Sequence, residues 1–499
     1  MPAVDPDFLA LPFAVLGDAA LERASSLGAT YADFRFERIK QQGLAAKDHD
    51  LERIATGETS GYCVRVIHDG AWGFAYGLER SADAAAATAA RAVEVARAMA
   101  ALNTEPVELA PEPAYTDTWV SSYEIDPFSV PDDDKVSFLL DGNKRLLGSG
   151  KVDHADSSLS LVLENKYLAN LDGSRITQQR VRGQAFFYAS KIDHEAGGFE
   201  RMRTIGVPVG RGWEYFSGGY DWDADLERLP DQLEEKLKAP SVEAGRYDLV
   251  VHPTNLWLTI HESIGHSTEL DRALGYEANY AGTSFATIDK INTLQFGSSV
   301  MNITGDREVE HGLSTIGYDD EGVAAQRWDI ISDGVLVGYQ LNRQMALRQG
   351  FGRSNGCAFA DGPDNVPLQR MPNVSLQPSP NGTTLEDLLG GVEDGIYIEG
   401  DNSWSIDMQR YNFQFTGQRF FRIKNGTLAG QLKDVAYQAT TTEFWGSMEA
   451  VGGEGTYVLG GAFNCGKGQP GQVAPVTHGC PAALFRNINI LNTRTEGGG

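Results

Sequence analysis

His261, Glu262 and His266 stand in the stretch Leu258 to Leu274, LTIHESIGHSTELDRAL, spaced His-Glu-x-x-x-His. Imidazole nitrogen is a common zinc ligand, and a carboxylate beside the first imidazole can accept a proton from an attacking water. The usual helical zinc motif sets its histidines at i and i+4, on one face. Here they stand at i and i+5, which on an ideal helix turns the two side chains about 140° apart. They converge only where the helix is locally unwound into i to i+5 bonding, a π-bulge. Gly265 lowers the steric cost of such a distortion. The plain alternative is two unrelated histidines on a polar helix face. Glu262 between them and the apolar approach Leu256, Trp257, Leu258 and Ile260 argue against it.

A catalytic zinc takes three protein ligands and keeps one position open. Cys465, in Asn464-Cys465-Gly466-Lys467-Gly468-Gln469-Pro470, is the best candidate for the third ligand. Glycines on both sides of Lys467 let backbone pass close to a bound ion, and Lys467 could favour the thiolate. The alternatives are an inert buried thiol, or a disulfide with Cys480 in an oxidising compartment. A mixed N/N/S set suits one divalent transition metal, Zn²⁺ first and iron second, and not a hard cation. Glu269 could orient a ligand imidazole, or be a solvated helix acid. His478, in Val476-Thr477-His478-Gly479, could polarise a carbonyl or be a satisfied loop residue. Asp319-Asp320-Glu321-Gly322 offers carboxylates to a hard cation, but three acids before glycine read first as a turn.

These residues need elements to hold them. Asp18 to Leu27 and Ser81 to Ala100 read as helices, the second with Ser81 as N-cap. Tyr31 to Ile39, Gly61 to His68 and Ala71 to Gly77 read as strands, the last two joined at Asp69-Gly70, a hairpin signal. Pro131 opens a helix over Asp132 to Leu147. Strands follow at Ser158 to Asn165, Lys166 to Leu171, Arg175 to Arg180 and Gly183 to Ser190. Pro230 opens a short acidic helix, and Ala239-Pro240-Ser241 ends it. Beyond, Tyr247 to Val251 is an apolar strand leading into the histidine helix. Hairpin turns stand at Asp333-Gly334 and Asn425-Gly426. Short helices are expected at Leu341 to Arg348, Asn381 to Leu389 and Thr441 to Ala450, and a last strand at Ala483 to Asn492. The pattern is α+β with mainly antiparallel sheets in two domains, 1–240 and 241–499, the metal motif on a helix at the start of the second.

The 499 residues exceed what one core usually holds. A hydrophobic content of 41% and a charged content of 22% are those of a globular protein, and a net charge of −26 argues against nucleic acid or an anionic membrane as partner. No apolar run of about 18 residues occurs, so no membrane span is expected. Met1 to Asp7 lacks the basic start of a signal peptide. Four cysteines in this length make no disulfide framework, so a cytoplasmic location is expected. Gly497-Gly498-Gly499 is expected to be flexible.

The run His261 to Glu269 resembles the His-Glu-x-x-x-His signature of the TldD/PmbA family of metallopeptidases. Asp319-Asp320-Glu321-Gly322 with the hairpin to Gly338-Tyr339, then Arg370-Met371-Pro372-Asn373 and Asn464-Cys465-Gly466-Lys467, look like further blocks of that family. The resemblance covers nearly the whole chain. It implies that His261, His266 and Cys465 bind the metal and that Glu262 is the catalytic acid/base. It also implies two α+β domains and a peptidase acting on peptides or unfolded polypeptide. Members assemble as dimers, so a homodimer or a heterodimer with a family partner chain is expected, its active site enclosed. A second reading is a non-catalytic peptide-binding or assembly subunit with a structural metal, and a third a redox sensor built on Cys465. Glu262 beside a ligand histidine favours the first, because a structural site needs no base.

Overall fold

The computed structural model describes residues 2–194 and 197–496, so the Gly497–Gly499 run lies outside the described residues. The chain is about 25% helix and 40% strand, in a two-domain-like α+β arrangement. Residues 31–203 build a seven-stranded sheet. Its order is Ala71–Gly77, Asp50–His68, Tyr31–Lys47, His154–Asn170, Arg175–Asp193 and Thr116–Val120, with Gly198–Arg203 also paired to Arg175–Asp193. All pairings are antiparallel except that of Thr116–Val120. The expected turn at Asp69-Gly70 is present, with positive φ at both residues, as a tight hairpin requires.

Strand alternation sorts this sheet into two faces. Ala32, Phe34 and Phe36 pack with Val64, Val66 and Tyr167 under the helices Phe13–Ser26 and Ala82–Ala100. Farther along the same strands, Leu44, Leu159, Leu161 and Phe187 pack under Asp132–Gly148 and Trp222–Lys238. The opposite face carries Asp33, Arg35, Glu37, Glu164 and Lys166, all buried. These charges meet the C-terminal half. Lys166 Nζ lies 2.9 Å from Asp320, and Arg65 bridges Asp33 at 2.7 Å and Glu321 at 3.2 Å.

Residues 245–492 build a second sheet, ordered Asp394–Ile406, Gly245–Val251, Ala483–Asn492, Val435–Thr440, Asn412–Lys424 and Thr427–Leu432. A further pairing of Asp394–Ile406 with Asn412–Lys424 closes five of these strands into a ring. Gly245–Val251 runs straight into the helix Pro253–Ile260, whose residues are all buried. Val458–Lys467 and Gln472–Cys480 form a separate two-stranded hairpin, with a bulge between Ala462 and Cys465.

Four expectations need correction. Residues 158–170, read as parts of two strands, belong to one, His154–Asn170. Residues 175–190, also read as two strands, belong to one, Arg175–Asp193. Pro230 does not open a helix but sits inside Trp222–Lys238. That helix starts eight residues earlier because the Asp221 side chain caps Ala224 N–H and Trp222, Leu226, Leu229 and Leu233 bury one stripe, which outweighs the bond lost at the proline. The helix at Thr441 ends at Gly446, and Met448–Val451 is a strand paired to Ala483–Asn492.

Candidate metal centre

The helix Pro253–Ile260 passes at His261 into a π turn, His261–Gly265, and then a 3₁₀ turn, His266–Thr268. The His266 N–H donates to the His261 carbonyl, the i to i+5 bond that the spacing demands. The carbonyls of this irregular run find hydroxyl and amide donors. Ser263 Oγ reaches Thr259 O, Ser267 Oγ reaches Ser263 O, Thr268 Oγ1 reaches Ile264 O, and Gln340 Nε2 reaches Gly265 O. Gly265 has an ordinary helical φ of −52°, so its need for glycine is not conformational. A Cβ there would stand 2.5 Å from Met371 Sδ; the site requires close approach.

The turn brings His261 and His266 to one side, and the bulged hairpin delivers Cys465. One ligand atom from each lies within 4.8 Å of the others, and Cys465 Sγ is 3.6 Å from His266 Nε2. Zinc with tetrahedral angles and the usual Zn–S and Zn–N lengths sets sulfur and nitrogen about 3.6 Å apart. The hydrogen-bond network fixes the tautomers to match. His478 Nδ1 donates to Val374 O at 2.9 Å, so its Nε2 accepts from His261 Nδ1 at 2.8 Å. His266 Nδ1 donates to Glu269 Oε2 at 2.9 Å. Both ligand imidazoles are left with a bare Nε2 lone pair. Burial also disfavours their protonation: His266 is pushed down to about 3 and His261 well below its usual value. The residues fit a divalent metal with N/N/S ligation.

The site bears on three further readings. Of the two offered for Glu269 the structure carries the first: it is fully buried and accepts from His266 Nδ1. Burial raises its pKa, but Lys467, the hydrogen bond from His266 and Arg272 together hold it well below the usual carboxylate range. His478 is a strand residue rather than a loop residue, and both its nitrogens are engaged, so it orients His261 and does not face a carbonyl. Lys467 lowers the pKa of the Cys465 thiol, as expected, but less than Arg370 does, and burial outweighs both. Its ammonium is buried among Glu269 (3.1 Å), Asp271 (2.9 Å) and Glu277 (3.3 Å), while burial pushes the Cys465 thiol up to about 11. A bound dication reverses that and leaves a coordinating thiol deprotonated.

Glu262 projects beside the ligands and contacts Arg410, Oε2 to Nη1 at 2.5 Å. Burial raises its pKa, while Arg410 and a hydrogen bond from the Trp404 side chain oppose the rise. Arg410 and Trp404 were not foreseen; they stand more than 140 residues away and no local motif marks them. Asp319, Asp320 and Glu321 form the expected turn, with Gly322 at φ 76°, and serve the contact between the halves. Gly282 to Phe285, close after the ligand helix, hydrogen-bonds the turn that carries Arg410, Thr283 N to Met408 O and Phe285 N to Gln409 O.

A buried His/His/Cys cluster beside a tethered carboxylate, on two packed sheets, defines a class of metal-binding α+β proteins. The chain belongs to the PmbA/TldD metallopeptidase family: residues 244–492 match its C-terminal domain and residues 32–100 its first domain. A protein named metalloprotease from Methanothermobacter thermautotrophicus is 27% identical over 93% of this chain and 96% of its own length. A protein of Saccharolobus solfataricus named zinc metalloprotease TldD homolog is 22% identical over 94% and 98%. Among solved structures, a candidate modulator of a DNA gyrase from Thermotoga maritima superposes with a TM-score of 0.74, at 16% identity over 95% of this chain and 99% of that one. TldE from Thermococcus kodakarensis superposes at 0.70, again 16% identical over 95% and 99%. At such identity these two structures establish the shared fold alone. Among the described residues no helix is long and apolar enough to cross a membrane.

Proposed function

We propose that the chain is a metal-dependent peptidase that hydrolyses peptides or unfolded polypeptide. The observation that carries this reading is Glu262: it lies on the ligand helix, is buried, and is no member of the ligand cluster. His261, His266 and Cys465 are the metal ligands, with zinc the metal assigned and iron the alternative. The metal supplies Lewis acidity, which activates a water and polarises a carbonyl. Glu262 accepts the proton of the attacking water on its carboxylate. It then returns that proton to the leaving amine. His478 and Glu269 hold the imidazoles in the ligating tautomer throughout.

The substrate form rests on a cleft that reaches the site through Trp257 and Phe463, although neither the three proposed ligands nor Glu262 line it. An open cleft of about 530 Å³ is lined by Phe186, Tyr188, Trp257, Trp404 and Phe463 between the two halves. Trp257 approaches His261, and Phe463 stands in the bulge next to Cys465. An extended segment of polypeptide fits such a cleft, and a folded surface does not. A dimer, of two copies or with a family partner chain, and a cytoplasmic location complete the proposal. The test offers one sequence twice, as a free peptide and as a surface loop of a stable folded protein. Metal-loaded protein is expected to cleave the peptide alone, and chelation is expected to stop it. Equal cleavage of both forms would mean an open site. Metal retained with no cleavage of any peptide would favour the non-catalytic subunit.

A further inference from the structure

The peptidase reading leaves one charge near the centre unexplained, and a role for that charge depends on the same reading. Among the described residues the other cations near the centre are buried on carboxylates or carbonyls. Lys467 is enclosed by three carboxylates. Arg272 is buried on Glu269, Glu277 and the Ala281 carbonyl. Arg370 is buried on the carbonyls of Cys465 and Gln472. Arg410 differs: among the described residues its guanidinium pairs with Glu262 through Nη1 alone, and its side chain keeps 15% exposure where Arg272 and Arg370 are buried.

The backbone holds Arg410 in place at some expense. It has φ 63°, a left-handed conformation uncommon for a long side chain. The Asp407 carboxylate accepts the N–H groups of Gln409, Tyr411 and Asn412, and Thr441 Oγ1 donates to the Arg410 carbonyl. Thr283 and Phe285 brace the same turn from outside. A strained, over-braced turn thus presents a partly exposed guanidinium, its Nη2 without a hydrogen-bond partner among the described residues, at the carboxylate that would move the proton.

We propose that Arg410 is a catalytic residue whose guanidinium receives the carbonyl oxygen of the scissile peptide as negative charge gathers there. When water attacks the carbonyl carbon, its proton passes to Glu262 and the C=O electron pair moves onto oxygen, where Arg410 donates. When that pair returns, the C–N bond breaks and the amine departs with the proton from Glu262. Nη1 stays on Glu262 Oε2, so one fork keeps the proton acceptor and the oxyanion in fixed relation.

The experiment compares zinc-loaded wild type, Arg410→Ala and Arg410→Lys on one fluorogenic peptide. It also measures binding of a phosphinic peptide of the same sequence, whose tetrahedral oxygens stand for the oxyanion. Uncleaved peptide binding is read in Glu262→Gln with and without Arg410→Ala. The expected result for Arg410→Ala is a kcat loss of about 10²–10³-fold, a parallel loss of phosphinic-peptide affinity, unchanged zinc content, and peptide affinity in the Glu262→Gln background moved by less than about threefold. Arg410→Lys, which keeps the charge but not the fork, is expected to recover part of kcat and serves if the alanine variant does not fold. A kcat within about threefold of wild type would overturn the assignment. So would a kcat loss with phosphinic-peptide affinity intact, which would mark a merely structural role. Wild type that cleaves no peptide removes the peptidase reading and this role together; wild type and Arg410→Ala equally active removes this role alone.

Discussion

Glu262 and Glu269 are the same residue type seven positions apart, and their surroundings give them opposite uses. Glu269 is locked by His266, Lys467 and Arg272. Glu262 has Arg410 and Trp404 beside it and stands next to the ligands without joining them. Glu262→Gln is expected to abolish peptide hydrolysis with metal content and thermal stability unchanged; loss of metal in that variant would show that Glu262 coordinates. Glu269→Gln is expected to weaken metal binding by about 10–100-fold, read by competition with a chelator. His478 supplies a pH test. Unfolded, it takes its proton near 6.5; folded, burial lowers that to about 4. Above pH 6.5 both states are neutral and nothing is lost. As pH falls from 6.5 to 4 only the unfolded chain gains the proton, so stability declines, by about 3 kcal/mol in all from this group, and its share then levels off. His261 and His266 act in the same direction. The urea midpoint of metal-free protein should therefore fall over this window, and His478→Gln should remove part of the slope. The sequence marked His261, Glu262 and His266 because their types and spacing are local, whereas Cys465, 199 positions from His266, was offered from its glycine-lined surroundings and the family resemblance. It could not mark Arg410, which reaches Glu262 across 148 positions, or the three carboxylates that enclose Lys467.

At the scale of the element, the π turn was legible because i, i+5 histidines cannot converge on a regular helix. The reason for Gly265 was not, because the obstacle is Met371, distant in sequence and adjacent in space. Gly265→Ala is expected to cost about 1–3 kcal/mol through overpacking and to lower metal affinity. Met371→Ala in the same chain should restore part of both, measured by thermal unfolding and chelator competition. If the two substitutions simply add, the close approach is not the cause. Strand ends were read too short where the residues turn polar: Tyr31 to Ile39 continues to Lys47, and Gly61 to His68 begins at Asp50. Asp33, Arg35 and Glu37, inside the strand as read, are buried against the other half. Pro230 misled for a related reason: a local breaker is overruled by a buried stripe that continues through it.

At the scale of the molecule, we propose residues 1–240 and 241–499 as the two domains, sealed by ion pairs rather than by an apolar seam. Lys166 alone meets Glu37, Glu164 and Asp320. Lys166→Met is expected to leave these acids undercompensated and to destabilise by about 3–5 kcal/mol, read as a lowered denaturant midpoint; a shift near zero would mean that Arg35 and Arg180 suffice. Such a seam cannot be read from one strand, since each charge gains its meaning from a partner in the other half. The distance along the chain between His266 and Cys465 has a further consequence. They are neighbours in space but 199 positions apart. A ribosome must release about 200 further residues after His266 before the proposed third ligand can meet the first two, so until then a nascent chain holds two histidines and no complete centre. On the proposed reading the centre forms only when the hairpin that carries Cys465 docks, and a chain cut short before Cys465 is expected to be silent as a peptidase.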